Sequence, residues 1–251
     1  MCYPFGCKLQ DCFGVHMASI NMTEKLETGT FLRRLNRFMT EVELHGQKTL
    51  AHLPNSGRLP TVLIPPAKVY LQKRYRAGRK SSYDLFAVER LGVSVIVDTR
   101  FSTLAVKVAI EKKLFKPFEN YRVASENVKV NRSRLDVLLK QDAHNFFLEV
   151  KSVTHVIDGV ALFPDAPTLR GRKHLQCLTS LIEQGFDAGI LFSVQRPDVK
   201  VLKPNHEIDQ QFSELLRKAV DENVRIFTLM SVFKPSGTIE LKANIPTFSF
   251  T

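Results

Sequence analysis

The feature that most constrains the fold is the alternation of strand-like and helix-like segments from Tyr83 onward. Apolar residues recur at helical spacing in Leu104 to Ala109, and the segments Thr168 to Glu183 and Asp209 to Asp221 also have a helical pattern. Apolar segments of strand length lie before, between and after them. This alternation is typical of a mixed α/β sheet whose faces are covered by helices. We therefore predict an α/β domain over residues 83–251.

The segment that precedes it differs in charge and in pattern. Residues 21–82 hold 12 Lys and Arg against 4 Asp and Glu, a net charge of +8, whereas residues 83–251 hold 23 against 20, a net charge of +3. Short segments such as Thr30 to Phe38 and Lys48 to Leu53 mix polar and apolar residues and are separated by turn formers. This pattern predicts a small basic β barrel over residues 23–82, and such barrels often bind nucleic acid on a strand face. The alternative is a barrel whose charge is only solvated.

The chain as a whole carries a net charge of +11, which favours an anionic partner such as nucleic acid. It lacks the run of ~20 apolar residues that a membrane-spanning helix needs, and its start lacks the pattern of a secretory signal. We therefore expect a cytoplasmic protein that does not enter a membrane. Residues 1–22 show no periodic pattern, so we expect a disordered leader, or an extension upstream of a start at Met17 or Met22.

Two adjacent predicted strands carry the residues whose side chains could take part in catalysis. In Phe146 to Val153 the period of two places Glu149 and Lys151 on one face of an otherwise apolar strand. Both side chains need polar partners there, because burying either one alone is costly. Asp136 lies in the preceding strand, and an antiparallel hairpin through Gln141 to Asn145 that pairs position 136 with 149 would put both carboxylates on the same face.

These residues suit the hydrolysis of a phosphodiester bond. The reaction calls for a hard cation held by carboxylate oxygens, such as Mg²⁺ or Mn²⁺, and for a group that orients the attacking water. Asp136 and Glu149 would hold the cation, Glu126 would add a third oxygen donor, and Lys151 would orient the water. The alternative is a solvated strand face on which a Glu and a Lys are commonplace.

A basic helix face is predicted beside the carboxylates. The predicted helix from Thr168 places Arg170, Lys173 and His174 on one side, opposite an apolar stripe that would face the core. Such a face suits the phosphate backbone of a nucleic acid, although a solvated helix surface would look the same. The residues predicted to bind nucleic acid are Arg58, Arg74, Arg76, Arg79, Lys80, Arg170, Lys173 and His174.

The chain resembles the sugar fermentation stimulation protein family (SfsA) from about residue 30 to about residue 245. The motifs that carry the resemblance are His52 to Arg58, Arg79-Lys80, Ser133 to Asp136, Glu149 to Thr154, Phe163 to Ala166 and Arg170 to Leu175. The resemblance implies an OB-like N-terminal barrel and a C-terminal domain of the PD-(D/E)XK nuclease fold, with DNA binding attributed to the family.

By the same motifs, Asp136, Glu149 and Lys151 take the catalytic-core positions and Glu126 takes the upstream acidic position. The segment Thr99 to Leu104 departs from the family pattern, because it lacks an expected Asn after the Val-Asp-Thr sequence. That departure does not touch the predicted metal ligands.

Two functions remain open from the sequence. The first is a DNA-binding protein of little sequence specificity that cleaves phosphodiester bonds with Mg²⁺ or Mn²⁺. The second is a non-catalytic DNA-binding regulator of sugar (maltose) metabolism that uses an inherited nuclease fold.

Overall fold

The structure is a computed structural model that describes residues 5–12, 15–74 and 78–251. The strands are β1 (Phe5–Cys12), β2 (Val15–Met22), β3 (Glu27–Asn36), β4 (Met39–Leu44), β5 (Gln47–His52), β6 (Ala67–Lys73), β7 (Tyr83–Arg90), β8 (Val93–Ile96), β9 (Arg122–Val130), β10 (Ser133–Gln141), β11 (His144–Val153), β12 (Val156–Ile157), β13 (Val160–Phe163), β14 (Asp187–Val194), β15 (Val201–Pro204), β16 (Arg225–Phe233), β17 (Thr238–Ala243) and β18 (Thr247–Phe248). The helices are α1 (Thr99–Glu111), α2 (Leu169–Glu183) and α3 (Gln210–Asp221), with a short 3-10 helix at Lys116–Phe118.

Strands β3 to β7 form a closed barrel, as the sequence predicts. Their sheet runs in the order β5-β4-β3-β6-β7-β8, and β5 also pairs in parallel with β7. That last pairing joins Ala51 to Tyr83 and His52 to Asp84, and it closes the barrel. Apolar side chains that alternate along these strands, such as Phe31, fill the interior. The barrel has the strand order of an OB-like fold.

The barrel extends further along the chain than residue 82. Strands β7 and β8 form a hairpin in the barrel sheet, with a turn at Leu91 and Gly92 where both residues have positive φ. The sequence analysis placed these strands in the second domain, and the structure corrects that placement. Closure of the barrel requires pairing between strands distant in sequence, and local patterns carry no information on that pairing.

The second sheet has eight strands in the order β1-β2-β17-β16-β14-β11-β10-β9. Strands β11, β14 and β16 run parallel at its centre, and β9, β10 and β17 pair antiparallel with their neighbours. Helix α1 packs against one face through a core that includes Leu148 and Val150. Helices α2 and α3 cover the other face through a core that includes Phe147 and Leu175. The chain thus forms the mixed α/β domain that the alternation predicts.

The prediction that residues 1–22 are disordered is wrong for the part of this segment that the structure describes. Strands β1 and β2 form an antiparallel hairpin, and β2 pairs with β17, with Ile20 opposite Ile239. Ala18 and Ile20 are buried in the core on the α1 side of the sheet. The edge of β17 offers backbone donors and acceptors that a further strand can satisfy, a tertiary effect that composition does not reveal. Residues 1–4 and 13–14 lie outside the described residues.

None of the helices in the described ranges combines the length and the apolar character needed to cross a membrane.

A third, small sheet, in the order β12-β13-β15-β18, lies beside the end of β11. The segment that follows β13 contacts the barrel, because Leu59 N donates to Asp165 Oδ2 at 3.1 Å. Asp165 also lines a cavity at the junction of the barrel and the mixed sheet.

Candidate active site between the barrel and the mixed sheet

A cavity of about 420 Å³ lies where the barrel meets the end of β11. Its walls come from the loop after β5, the first turn of α1, the end of β11 and the segment between β13 and α2. Asp136, Glu149, Lys151 and Arg170 all line this cavity. The structure therefore brings together four of the residues that the sequence analysis selected.

The two carboxylates meet through the predicted hairpin. Strands β10 and β11 pair Val137 with Leu148, so Asp136 and Glu149 are the next positions along the two strands and share a face. The regular ladder ends at Val137, and Asp136 Oδ2 instead accepts a hydrogen bond from Val150 N at 2.8 Å. The Asp136 side chain thus takes the place of a backbone partner and is held beside Glu149.

The surroundings of the two carboxylates shift their pKa values in opposite directions. Burial and the neighbouring charge of Glu149 raise the pKa of Asp136 to about 7, against the hydrogen bond from Val150 N. Burial also acts to raise the pKa of Glu149, but the charges of Lys151 and His174 outweigh it and lower that pKa. The two neighbouring carboxylates therefore differ in proton affinity, and Glu149 is the more acidic of the two.

Lys151 and His174 both contact one oxygen of Glu149. Lys151 Nζ lies 2.6 Å from Glu149 Oε1, and His174 Nδ1 contacts the same oxygen. Lys151 Nζ also lies 3.2 Å from His174 Nδ1. The second oxygen, Glu149 Oε2, is buried and has no hydrogen-bond partner among the described residues. An unsatisfied buried carboxylate oxygen is costly, so its presence marks a position where another group belongs.

Glu126 does not join the other carboxylates, which corrects the prediction that it is a metal ligand and catalytic residue. It pairs with Val137 across β9 and β10, so its side chain lies on the α1 side of the sheet, opposite the Asp136 face. There its Oε1 accepts a hydrogen bond from Lys107 Nζ at 2.5 Å. Among the described residues, no three His, Cys, Asp or Glu side chains are grouped as a ready-made metal site.

The basic face of α2 is only partly as predicted. Arg170 and Lys173 are exposed, and Arg170 Nε lies 3.4 Å from His174 Nε2. His174 is buried, with 4% of its surface exposed, because the first turns of α2 pack over β11 and direct its ring at Glu149. The prediction that His174 is an exposed nucleic-acid contact is therefore wrong.

The predicted basic residues of the barrel fall into two groups. Arg58 and Lys80 are exposed. Arg74 and Arg79 are half-buried and contact the carboxylate of Asp84, with Arg74 Nε 3.3 Å from Asp84 Oδ2. Arg76 lies outside the described residues. Arg74 and Arg79, which the sequence analysis predicted to bind nucleic acid, are therefore engaged in ion pairs with Asp84.

Asp84 is a residue that the sequence analysis missed. Its fully buried side chain also contacts His52 Nδ1 at 3.1 Å and, from α1, Arg100 Nη2 at 2.7 Å. Burial acts to raise the pKa of Asp84, but hydrogen bonds from Arg79 and Arg100 lower it to about 2. Asp84 thus joins the barrel to the first turn of α1. A carboxylate inside the apolar strand Tyr83–Arg90 was the signal that would have identified it, since such a group needs charged partners.

Arg34 is a second residue that the sequence analysis missed, and no sequence signal identifies it. Its Nη1 donates to Gly57 O at 2.7 Å and to Arg58 O at 3.1 Å. Its Nη2 donates to Asn55 O at 3.2 Å. The loop that Arg34 holds in this way supplies Asn55 and Gly57 to the cavity wall. Arg34 therefore shapes the barrel side of the site without lining it.

Residues 32–97 match the family described as the SfsA N-terminal OB domain, and residues 100–237 match the sugar fermentation stimulation protein RE domain. The sugar fermentation stimulation protein homolog of Moorella thermoacetica is 39% identical over 210 residues, which cover 83% of this chain and 90% of that protein. The homolog of Caldanaerobacter subterraneus subsp. tengcongensis is 38% identical over 199 residues, covering 79% and 87% of the two chains.

The solved structure of Pyrococcus furiosus SfsA in complex with Ca²⁺ matches this chain with a TM-score of 0.82 at 33% sequence identity, covering 87% of this chain and 94% of that one. The domain matches meet between residues 97 and 100, where the barrel sheet ends and α1 begins. The resemblance inferred from the motifs is confirmed: this chain belongs to the sugar fermentation stimulation protein (SfsA) family.

Proposed function

We propose that this chain binds nucleic acid, in the first place DNA with little sequence specificity, and hydrolyses its phosphodiester bonds with Mg²⁺ or Mn²⁺. The observation that carries the proposal is the pairing of Asp136 with the buried carboxylate of Glu149, with Lys151 beside it, in a cavity bounded by a basic barrel. Carboxylates facing an anionic ligand repel it unless a cation lies between them. A site that only bound DNA would gain nothing from this pair.

The residues present fit a hard cation. Glu149 Oε2 is buried and finds no partner within the described ranges, and the carboxylate of Glu149 helps to raise the pKa of Asp136. Oxygen donors of this kind suit Mg²⁺, Mn²⁺ and Ca²⁺, and Mg²⁺ is commonly held by one or two carboxylates together with water and substrate phosphate. The Ca²⁺ in the structure of the Pyrococcus furiosus relative supports the same class of ion.

In this proposal Asp136 and Glu149 hold the cation, which when bound would neutralise charge that develops on the phosphate. Lys151 donates hydrogen bonds from the same strand face and orients the attacking water. His174 fixes the orientation of the Glu149 carboxylate through Oε1. Arg170, exposed at the start of α2, contacts a neighbouring phosphate of the strand.

The proposal is tested by incubating the purified protein with single-stranded, duplex and branched DNA and with matched RNA, in Mg²⁺, in Mn²⁺ and in EDTA. We expect products that require a divalent cation and disappear in Lys151→Ala. Lys140→Ala is the matched control, because Lys140 lies on the same hairpin at its far end, paired with Asn145. DNA binding without products in any metal would reject cleavage and leave the non-catalytic DNA-binding regulator as the function.

A further inference from the structure

The tip of the β3–β4 hairpin exposes an aromatic ring. Phe38 is 45% exposed, and the guanidinium of Arg37 lies 5.4 Å from the centroid of its ring. A single exposed apolar residue is common on protein surfaces and by itself needs no explanation. The way in which the backbone of this residue is held sets Phe38 apart.

The backbone on both sides of Phe38 is fixed by hydrogen bonds. Phe38 N donates to Asn36 Oδ1 at 2.9 Å, and Phe38 O accepts from Leu53 N at 2.9 Å. Arg34 donates to the two preceding carbonyl oxygens, from Nη2 to Arg37 O at 2.7 Å and from Nε to Asn36 O at 3.2 Å. The hairpin tip is therefore a fixed support for a ring that is left open to solvent.

The same guanidinium connects this tip to the candidate active site. Besides the tip, Arg34 binds the carbonyl oxygens of Asn55 and Gly57, which line the cavity that contains the carboxylate pair. Phe38 is thus attached to the cavity wall through one side chain. Arg37 and Arg58 are exposed in the two segments that Arg34 joins, so positive charge accompanies the ring. An exposed aromatic ring with flanking arginines is the arrangement that proteins use to hold the bases and backbone of a single strand.

We propose that Phe38 stacks on an unpaired base of a nucleic-acid strand whose backbone continues past Arg58 to the carboxylate pair. The inference rests on the proposed function and deepens it by naming the substrate class, a nucleic acid with a single-stranded segment. Stacking needs the open face of a base, which a continuous duplex hides between neighbouring pairs. Stacking on an aromatic ring also tolerates any base, in agreement with little sequence specificity.

The test compares equilibrium binding of a labelled oligothymidine strand and of a blunt duplex with the same number of phosphates. Fluorescence anisotropy is measured in EDTA, so the result does not depend on cleavage. We expect Phe38→Ala to weaken affinity for the strand by about tenfold and to leave the duplex unchanged. Phe38→Trp should keep or improve binding of the strand. Phe186→Ala is the matched control, because Phe186 is also exposed, at 39%, but precedes β14 at the opposite end of the parallel strands.

Four other outcomes would overturn the inference. Equal strand affinity in Phe38→Ala and wild type, or equal losses for strand and duplex, would reject a stacking role. A change in sedimentation of Phe38→Ala from dimer to monomer would assign the ring to contacts between copies of the chain. Wild type that binds neither probe, in EDTA or in Mg²⁺, would reject nucleic-acid binding altogether. Strand binding that depends on Phe38 without cleavage in Mg²⁺ would reject only the catalytic part of the proposed function.

Discussion

Lys151 makes the two oxygens of Glu149 unequal. Its Nζ lies 2.6 Å from Oε1, which His174 also contacts, while Oε2 is buried with no partner in the described part of the chain. One oxygen is therefore satisfied by the protein, and the other is left for a further ligand. If the site binds a cation as proposed, this division of roles would let a single carboxylate contact the lysine and hold the cation at the same time.

Removing the charge of Asp136 should separate cleavage from binding. We expect Asp136→Asn to lower the cleavage rate on the order of a hundredfold or more, because a ligand of the cation is lost. In EDTA the variant should bind DNA at least as tightly as wild type, since one charge that repels phosphate has been removed. Mg²⁺ should therefore improve binding more for wild type than for the variant, as measured by anisotropy with and without the ion.

The control for this change is Asp142→Asn, in the exposed turn of the same hairpin. It removes the same charge away from the cavity and should leave both cleavage and the Mg²⁺ response unchanged. Equal responses to Mg²⁺ in wild type and Asp136→Asn would mean that no cation bridges the carboxylates and the DNA.

Replacement of His174 should weaken the site through Glu149. We expect His174→Ala to raise the Mg²⁺ concentration needed for half-maximal cleavage by about tenfold or more, because groups that orient a metal ligand typically contribute that much. His174→Gln, which can still donate a hydrogen bond to Oε1, should recover part of the loss. His206→Ala changes an exposed histidine and serves as the control. A fall in turnover with an unchanged Mg²⁺ dependence would contradict the positioning role.

Much of this site could be predicted because it depends on local rules. The period of two along Phe146 to Val153 places Glu149 and Lys151 together, and the short hairpin turn sets the register that brings Asp136 beside them. Glu126 could not be placed in this way. It lies next to Asn127, which has a positive φ, and the pairing of Glu126 with Val137 directs its side chain to the other face. A backbone irregularity of this kind leaves no periodic signal in the sequence.

Basic residues of the barrel should contribute to binding in two different ways. Lys80→Glu and Arg58→Glu change exposed side chains, so each should weaken binding similarly for unrelated DNA sequences. Each should also reduce the slope of the logarithm of the binding constant against the logarithm of the salt concentration by about one or more. Their melting temperatures should match that of wild type. Arg79→Glu should also lower the melting temperature, because it places a second carboxylate against buried Asp84. Loss of binding confined to one DNA sequence would contradict the electrostatic basis of this prediction.

The contribution of β2 is a packing effect and can be measured as stability. We expect Ile20→Ala to lower the free energy of unfolding by about 2–5 kcal/mol, the usual cost of removing a large aliphatic side chain from a core. Ile20 is fully buried, whereas Ile157 is 50% exposed, so Ile157→Ala is the matched control. Urea unfolding of both variants gives the comparison. Similar small losses of unfolding free energy in both variants would mean that β2 does not complete the core.

The elements that could not be predicted all depend on contacts between distant parts of the chain. Strand β2 is specified by the edge of β17, more than two hundred residues later, and β7 joins the barrel through its pairing with β5. The ion pairs of Asp84 likewise need residues from the barrel and from α1. Such relationships become visible only when the strands are assembled.

Asp84 gives a prediction for stability against pH. Its pKa is lowered from 3.8 to about 2 in the folded protein, by Arg79 and Arg100 acting against burial. A carboxylate with a depressed folded-state pKa stabilises the fold at every pH above its unfolded-state pKa, and this contribution is lost as the pH falls through the folded-state value. Wild type should therefore exceed Asp84→Asn in free energy of unfolding by about 2 kcal/mol or more at neutral pH.

This difference should shrink as the pH is lowered from 3.8 to about 2, the range between the two pKa values of Asp84. Urea unfolding at neutral pH and at several points in that range measures it. Asp158→Asn, in an exposed turn, removes one carboxylate without removing an ion pair to a buried group and should show no such trend. If wild type and Asp84→Asn differ in free energy of unfolding by the same amount at all pH values, the loss of stability comes from altered shape or hydrogen bonding. The junction between the barrel and α1 would then depend on the geometry of Asp84 and not on its charge.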